Sequence, residues 1–394
     1  MYSFFRLHAK RIGNSRQAMC AGIFALIVAT GAVPAKAAIL RIGSNVSTSV
    51  QELIDQNPGS VNSDEKQLGV DAERPPIFAA ASLSSTDLED RIVSMAQGLS
   101  RFDDPTTSAD ANPRELSLEI ACYSNASSVA YHVEGNVEET RTIVFTRPGS
   151  EIAPTEIEFR SDGTREVESR VFLSGAVILW STFPLSEGVE LTGAVSLTVE
   201  REGESSLLFD TALQLVGKST GLETTVSGPL VVDEVDLDEL AELGVDEATL
   251  AILGELAEGG FLGILVLPDQ QHVYRYMVTA DESFDLDATL TAEIHNAPAG
   301  TGLAVVVGRP FERLADFIEM ALPGVDGAAV ERSINAAKTK RGPLVIKPAE
   351  PPSNRLAPFC GAMGLETGLL LALFVSFSLV SPQRRRTIRR RIAG

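Results

Sequence analysis

Between residues 115 and 340, apolar and polar positions alternate with a period of two in one short run after another. In the run 189–200, Val189, Leu191, Val195, Leu197 and Val199 fall on one side, with Glu190, Thr192, Ser196, Thr198 and Glu200 on the other. The run from Phe284 repeats the habit, setting Phe284, Leu286 and Leu290 against Asp285, Asp287 and Thr289. A period of two places alternate side chains on opposite faces of a strand. Further runs of β-branched residues predict strands over 116–123, 129–133, 141–146, 156–160, 167–180, 206–216, 223–232, 263–267, 272–280, 283–295 and 302–307. One wet face per strand implies antiparallel sheets packed face to face. Many short strands without regular strand–helix alternation predict a mainly β fold, an antiparallel β-sandwich of jelly-roll type.

Two stretches change the period to that of a helix. Leu237, Leu240, Leu243, Leu250, Leu253 and Leu256 recur at helical spacing, with Asp236 and Asp246 as N-caps and Gly244 and Gly259 as stops. This predicts a helical hairpin inserted over about 235–259. A second amphipathic pattern covers 311–322 between Pro310 and Pro323-Gly324, and a weaker one covers 327–338. Upstream, residues 38–114 are rich in Ser, Asn, Asp and Pro and predict a loosely ordered region. One helix is expected there, capped by Ser85 or Thr86, with Leu88, Ile92, Val93, Met95 and Ala96 as its apolar stripe.

The ends follow other rules. Arg6, Lys10, Arg11 and Arg16 precede the apolar run 18–33 and the small residues Ala35-Lys36-Ala37, the order of a secretory signal peptide spanning 1–37. The expected cut lies between Ala37 and Ala38. At the other end, residues 341–359 form a proline-rich stalk. After it, 360–394 carries an apolar segment of about 20 residues, long enough for a hydrocarbon core of about 30 Å. Arg384, Arg385, Arg386, Arg389, Arg390 and Arg391 follow it and act as a membrane stop that keeps the C-terminus cytoplasmic.

Charge sharpens the picture of what lies between. The whole chain has 33 basic and 53 acidic residues, a net charge of −20. Five basic residues belong to the leader, and six basic residues with Glu366 to the tail. The stretch between them therefore keeps 22 basic and 52 acidic residues, a net charge of −30. Such a surface repels a phosphate backbone, so nucleic acid is not an expected partner. Cys122 and Cys360, the two cysteines beyond the leader, are too few for a disulfide scaffold. Cys122 reads as a small buried apolar residue; a reactive thiol or a partner for Cys360 are the alternatives.

Candidate chemistry is sparse. Gly217-Lys218-Ser219 matches the end of a phosphate loop and, with Gly221, a nucleophile elbow. Both need a strand-to-helix turn, and here strands lie on either side, so a polar hairpin turn is expected. His132, His272 and His295 lie in or beside strands without a second His or Cys at ligand spacing, although His272 and His295 are free to meet in space. Two acidic groups offer hard oxygen ligands for calcium: Asp233, Asp236 and Asp238, and Asp281, Asp285 and Asp287. Three function classes follow. The first is a non-enzymatic exported domain with a structural, adhesive or ligand-binding role toward an extracellular ligand that the sequence does not name. The second is a secreted polysaccharide hydrolase using carboxylates such as Asp281, Asp285 or Glu293. The third is a calcium-dependent binding module.

The order of stalk, Cys360-Gly361, apolar helix and arginine cluster resembles the tripartite C-terminal sorting signals of exported bacterial surface proteins. The Cys-containing form is similar to the myxosortase type more than to the exosortase type, because no Pro-Glu-Pro precedes the helix. The resemblance covers about the last 35 residues. It implies bacterial export, a signal peptidase at the N-terminus, a sorting peptidase in the membrane, processing at Cys360-Gly361, and display at or release from the cell surface. A plain single-span anchor is the alternative.

Overall fold

The computed structural model describes residues 38–55, 57–68, 77–87, 92–102, 116–126, 128–145, 159–201, 206–296, 299–308 and 313–348. Ala37, Cys360, Gly361, the stalk beyond 348, the expected membrane span and the six arginines lie outside them. Among the described residues no helix is long and apolar enough to cross a membrane.

The chain folds as two antiparallel sheets with few helices. In chain order the strands and helices are β1 (Ala38–Ile54), β2 (Asn57–Leu68), β3 (Ile77–Thr86), β4 (Ile92–Phe102), β5 (Leu116–Ser124), β6 (Val129–Val144), β7 (Thr164–Ser181), β8 (Leu191–Arg201), β9 (Ser206–Lys218), β10 (Gly221–Ser227), β11 (Asp233–Glu234), α1 (Leu237–Glu242), α2 (Glu247–Gly259), β12 (Phe261–Thr279), β13 (Ser283–His295), β14 (Thr301–Val307), α3 (Leu314–Ala321), α4 (Gly327–Arg341) and β15 (Leu344–Ile346). The first sheet runs β10-β9-β8-β13-β6-β1-β2 and the second β11-β12-β7-β14-β5-β4-β3, with β15 added in parallel to β12.

Two cores hold these layers. Between the sheets pack the inward residues of the alternating strands, among them Val46, Val133, Val137, Leu197, Leu213, Leu286, Leu290 and Ile294, against Ile120, Val177, Leu179, Leu265 and Val305 of the second sheet. The other face of the second sheet is also apolar. Trp180, Ile178, Val266, Val306 and Tyr123 meet Leu240, Leu253, Phe317, Ile318 and Ile334 of the four helices. Phe317 lies between Tyr123 and Trp180, with ring centres 5.8 and 5.9 Å away. Opposite Trp180 the ladder has Gly302, where an added Cβ would fall 2.0 Å from the indole. Only glycine leaves room for the ring there.

Asp236, Asp246 and Asp326 cap α1, α2 and α4, accepting hydrogen bonds from backbone N–H groups of the first turns. At Pro268-Asp269, β12 bulges: two residues face Ser174 alone between the pairs Leu267↔Gly175 and Gln270↔Leu173. A proline, which lacks the N–H a ladder needs, is tolerated at such a bulge. The expected strands 263–267 and 272–280 are thus one bulged strand, and 129–133 and 141–146 likewise fall on the single strand β6.

Residues 38–114 correct the sequence reading. The described residues among them form strands: β1 to β4 complete both sheets, and the described sandwich takes in residues of 38–102 as well as those from 116 on. The helix expected over 85–96 is replaced by β3 and β4. Met95, Ala96 and Leu99 are buried on both faces of β4: Ala96 joins the core between the sheets and Met95 the apolar cluster on the opposite face of the second sheet. Such a strand loses its period of two and offers apolar residues at helix-like intervals. The helices at 237–259, 314–321 and 327–341 stand close to where their patterns place them.

An ion pair lies inside the sandwich. Arg141 and Glu139 of β6 are each 1% exposed and bonded to each other, near Tyr274, Tyr276 and Ser169 of the facing strands. Arg201 closes the same end, its guanidinium 4.5 Å from the Phe284 ring centre.

Candidate functional site

The two acidic groups expected to bind calcium land in different surroundings. Asp236 is occupied as the cap of α1, its carboxylate accepting from the Glu239 N–H at 2.7 Å. Beside it Arg341 reaches Glu239 through two nitrogens, at 2.8 and 2.5 Å, and its Nε lies 3.5 Å from Asp233. These hydrogen bonds from Arg341 hold the Glu239 carboxyl below its ordinary range. Asp238 stands in the first turn of the same helix. The acidic run is therefore answered by the end of α4. Asp281 occupies the turn between β12 and β13 with φ +64°, and Asp285 and Asp287 follow on β13 in the first sheet. Asp287 accepts from Thr140 Oγ1 at 2.5 Å, while Asp285 has one buried oxygen without a hydrogen-bond partner.

A different set converges on the outer face of the first sheet. β6 and β13 pair so that His132 stands opposite His295 and Glu134 opposite Glu293. His132 Nε2 is 2.7 Å from Glu134 Oε1, and His132 Nδ1 is 3.7 Å from Glu293 Oε1. The two imidazole centres are 6.3 Å apart. Among the described residues, His132, Glu134 and Glu293 are the group of His, Cys, Asp and Glu whose ligand atoms gather within 4.8 Å. Burial is the main cause that lowers the His295 pKa; the nearby His132 adds to it and Glu293 opposes it. None of the six aspartates expected to bind calcium belongs to this group. The sequence carried half of the signal, His132 and Glu134 two apart on one strand; the other half comes from a strand about 160 residues later through register. His295 meets His132 and not His272.

His272 points inward instead. It is 1% exposed, lies tilted against Phe209 with ring centres 5.0 Å apart, and has no hydrogen-bond partner at either nitrogen. Burial pushes its pKa down to about 4. Cys122 is also wholly buried, and burial pushes its thiol up, so it matches the small apolar residue expected and not a reactive thiol. Gly217-Lys218-Ser219 is the turn of the β9–β10 hairpin, with Lys218 opposite Gly221 and its ammonium 3.0 Å from Glu223.

A cleft of about 780 Å³ opens at the β12 bulge. Ser174, Asp269, Gln270 and Gln271 form one side, Asn335, Lys338 and Thr339 of α4 another, and Phe172, Leu344 and Val345 supply apolar surface. Gln270 is held by the backbone of Val231, donating at 2.8 Å and accepting at 2.9 Å, so that wall is fixed. The size suits a small molecule, and amide and hydroxyl groups around apolar side chains bind by hydrogen bonding and contact.

No protein-family model matches the chain, and no curated protein matches it. Solved structures with some likeness include infectious bursal disease virus, Gx strain, at 8% identity over 76% of this chain and 78% of that one, with a TM-score of 0.10. The VP2 subviral particle of infectious bursal disease virus shows 10% identity over 69% and 63%, also at 0.10. At such scores neither carries an argument about fold or function.

Proposed function

We propose that the chain is an exported, non-enzymatic β-sandwich of jelly-roll type that binds a small ligand at the cell surface or after release from it. The cleft at the β12 bulge carries the binding half of this reading. Its lining offers apolar surface from Phe172, Leu344 and Val345 beside amide, hydroxyl and charged groups, with Gln270 held in place, a composition that suits holding a small ligand by contact and hydrogen bonding. The jelly-roll form is supported by the way the chain passes repeatedly from one sheet to the other. The export half rests on the sequence of the two ends, with signal peptidase, a membrane sorting peptidase and the membrane itself as partners.

Protease shaving of intact cells tests display: a chain that is protected and fractionates with the cytoplasm ends the reading. Nile red, an apolar dye, tests the cleft. Its fluorescence should rise with the purified protein and fall to baseline with Leu344→Asp, and an unchanged signal counts against ligand binding there. Cys360→Ala should leave the protein unprocessed in the membrane; normal maturation of that variant reduces the tail to a plain anchor.

A further inference from the structure

We propose that the outer face of β6 and β13 is a site for one divalent transition-metal ion of the zinc class, held by His132 Nδ1 and Glu293 with water completing its shell, Glu134 orienting His132 and His295 standing beside the group. This site is separate from the cleft and does not depend on export.

The distances assign the roles. Two ligands of one tetrahedral ion, each bonded at about 2.1 Å, stand about 3.4 Å apart. His132 Nδ1 and Glu293 Oε1 are 3.7 Å apart, so an ion fits between them with a shift of a few tenths of an ångström. The other nitrogen of His132, 2.7 Å from Glu134, makes the hydrogen bond that fixes tautomer and ring direction in a carboxylate–histidine–metal arrangement. His295 is the register partner of His132, and its ring lies on the same face. Waters complete the shell on the solvent side, where Glu134 and Glu293 line a pocket of about 320 Å³.

The ladder gives an independent reason for a cation. Like charges directly opposite each other on neighbouring strands destabilise a sheet. Glu134 and Glu293 are such a pair, and the flanking register positions are Ser49 and Gln51 on β1 and Thr192 and Ala194 on β8. None of these is cationic. A dication bound beside the pair removes the repulsion. The donor set selects its kind: imidazole with carboxylate suits zinc, whereas calcium takes six to eight oxygens.

The test uses the full chain, purified without a histidine tag, stripped with chelator and titrated with Zn²⁺ alone in a calorimeter. One Zn²⁺ should bind in a manner that depends on these residues. His132→Ala and Glu293→Gln should each weaken it by roughly tenfold or more, and Glu134→Gln by about 10- to 100-fold. Thermal melts of the metal-free variants confirm that each is folded, and Zn²⁺ should raise the melting temperature of the parent and not of His132→Ala. The proposal is overturned if the parent binds no Zn²⁺, if His132→Ala binds it equally well, or if Ca²⁺ binds the same residues more tightly.

Discussion

The two sheets share one core yet read differently along the chain. Strands β6, β8 and β13 of the first sheet alternate cleanly, with buried positions separated by exposed or half-buried ones. β14 and residues 175–181 of β7, in the other sheet, are buried at every position. The difference lies in what covers the outer face. Among the described residues four helices sit on the second sheet, and none sits on the first. Alternation thus reports a half-covered sheet, and a continuous apolar run reports a strand enclosed on both sides. The sheet left bare is the one on which histidines and carboxylates come together.

Substitutions on the two outer faces test this contrast. Trp180→Ala, beneath the helices, should cost about 3–5 kcal/mol by removing a large buried side chain from a packed layer. Urea unfolding measures it, and a loss below about 1 kcal/mol would show that the helices do not pack as described. Glu139→Ala, inside the sandwich, should cost about 3–5 kcal/mol because it leaves a buried guanidinium without its carboxylate. Replacing Glu139 and Arg141 together with Leu and Met should restore most of that stability, and a double variant as unstable as the single one would contradict the argument.

His272 gives an effect that depends on pH. In the unfolded chain its pKa is near 6.5, while burial pushes the folded value down to about 4. The unfolded state therefore binds the proton first. The stability present above pH 6.5 should fall as pH drops through 6.5 toward 4, by about 3 kcal/mol in all. His272→Leu should flatten that part of the stability–pH curve, and an unchanged slope would assign the loss to other groups. The smallest effect belongs to the bare face: Thr289→Ala, between Glu138 and Thr198 in the ladder, should change stability by no more than about 0.5 kcal/mol. A loss as large as that of Trp180→Ala would mean that this face is covered in solution.

Much of the fold was legible because most elements obey one period. The strand at 283–295 and the helical hairpin were readable from spacing and caps alone. The stretch at 92–102 was not: a strand buried on both faces has no period of two, and the Ser and Asp residues before it imitate a helix start. The candidate site was legible only in part. His132 and Glu134 lie on one strand two residues apart, but their partners depend on which residue of β13 faces them, and register across about 150 intervening residues is set by tertiary packing. The cleft was invisible for a similar reason, since Pro268-Asp269 reads as a turn between strands and is a bulge within one.

The two outermost strands β2 and β3 meet along one side of the molecule. Asp64 of β2 accepts from the Ala80 N–H at 3.2 Å, and Asn62 donates to the Ser82 carbonyl at 2.9 Å. Side chains of one sheet thereby occupy backbone groups on the outer edge of the other. The hydrogen bonds from Lys66 and Ala80 favour the ionised form of Asp64. An edge strand with free backbone groups is a template on which a second molecule can add a strand and begin an aggregate. Here part of that template is already filled, by a charged side chain that an incoming strand would have to displace, and the seam resists growth from molecule to molecule.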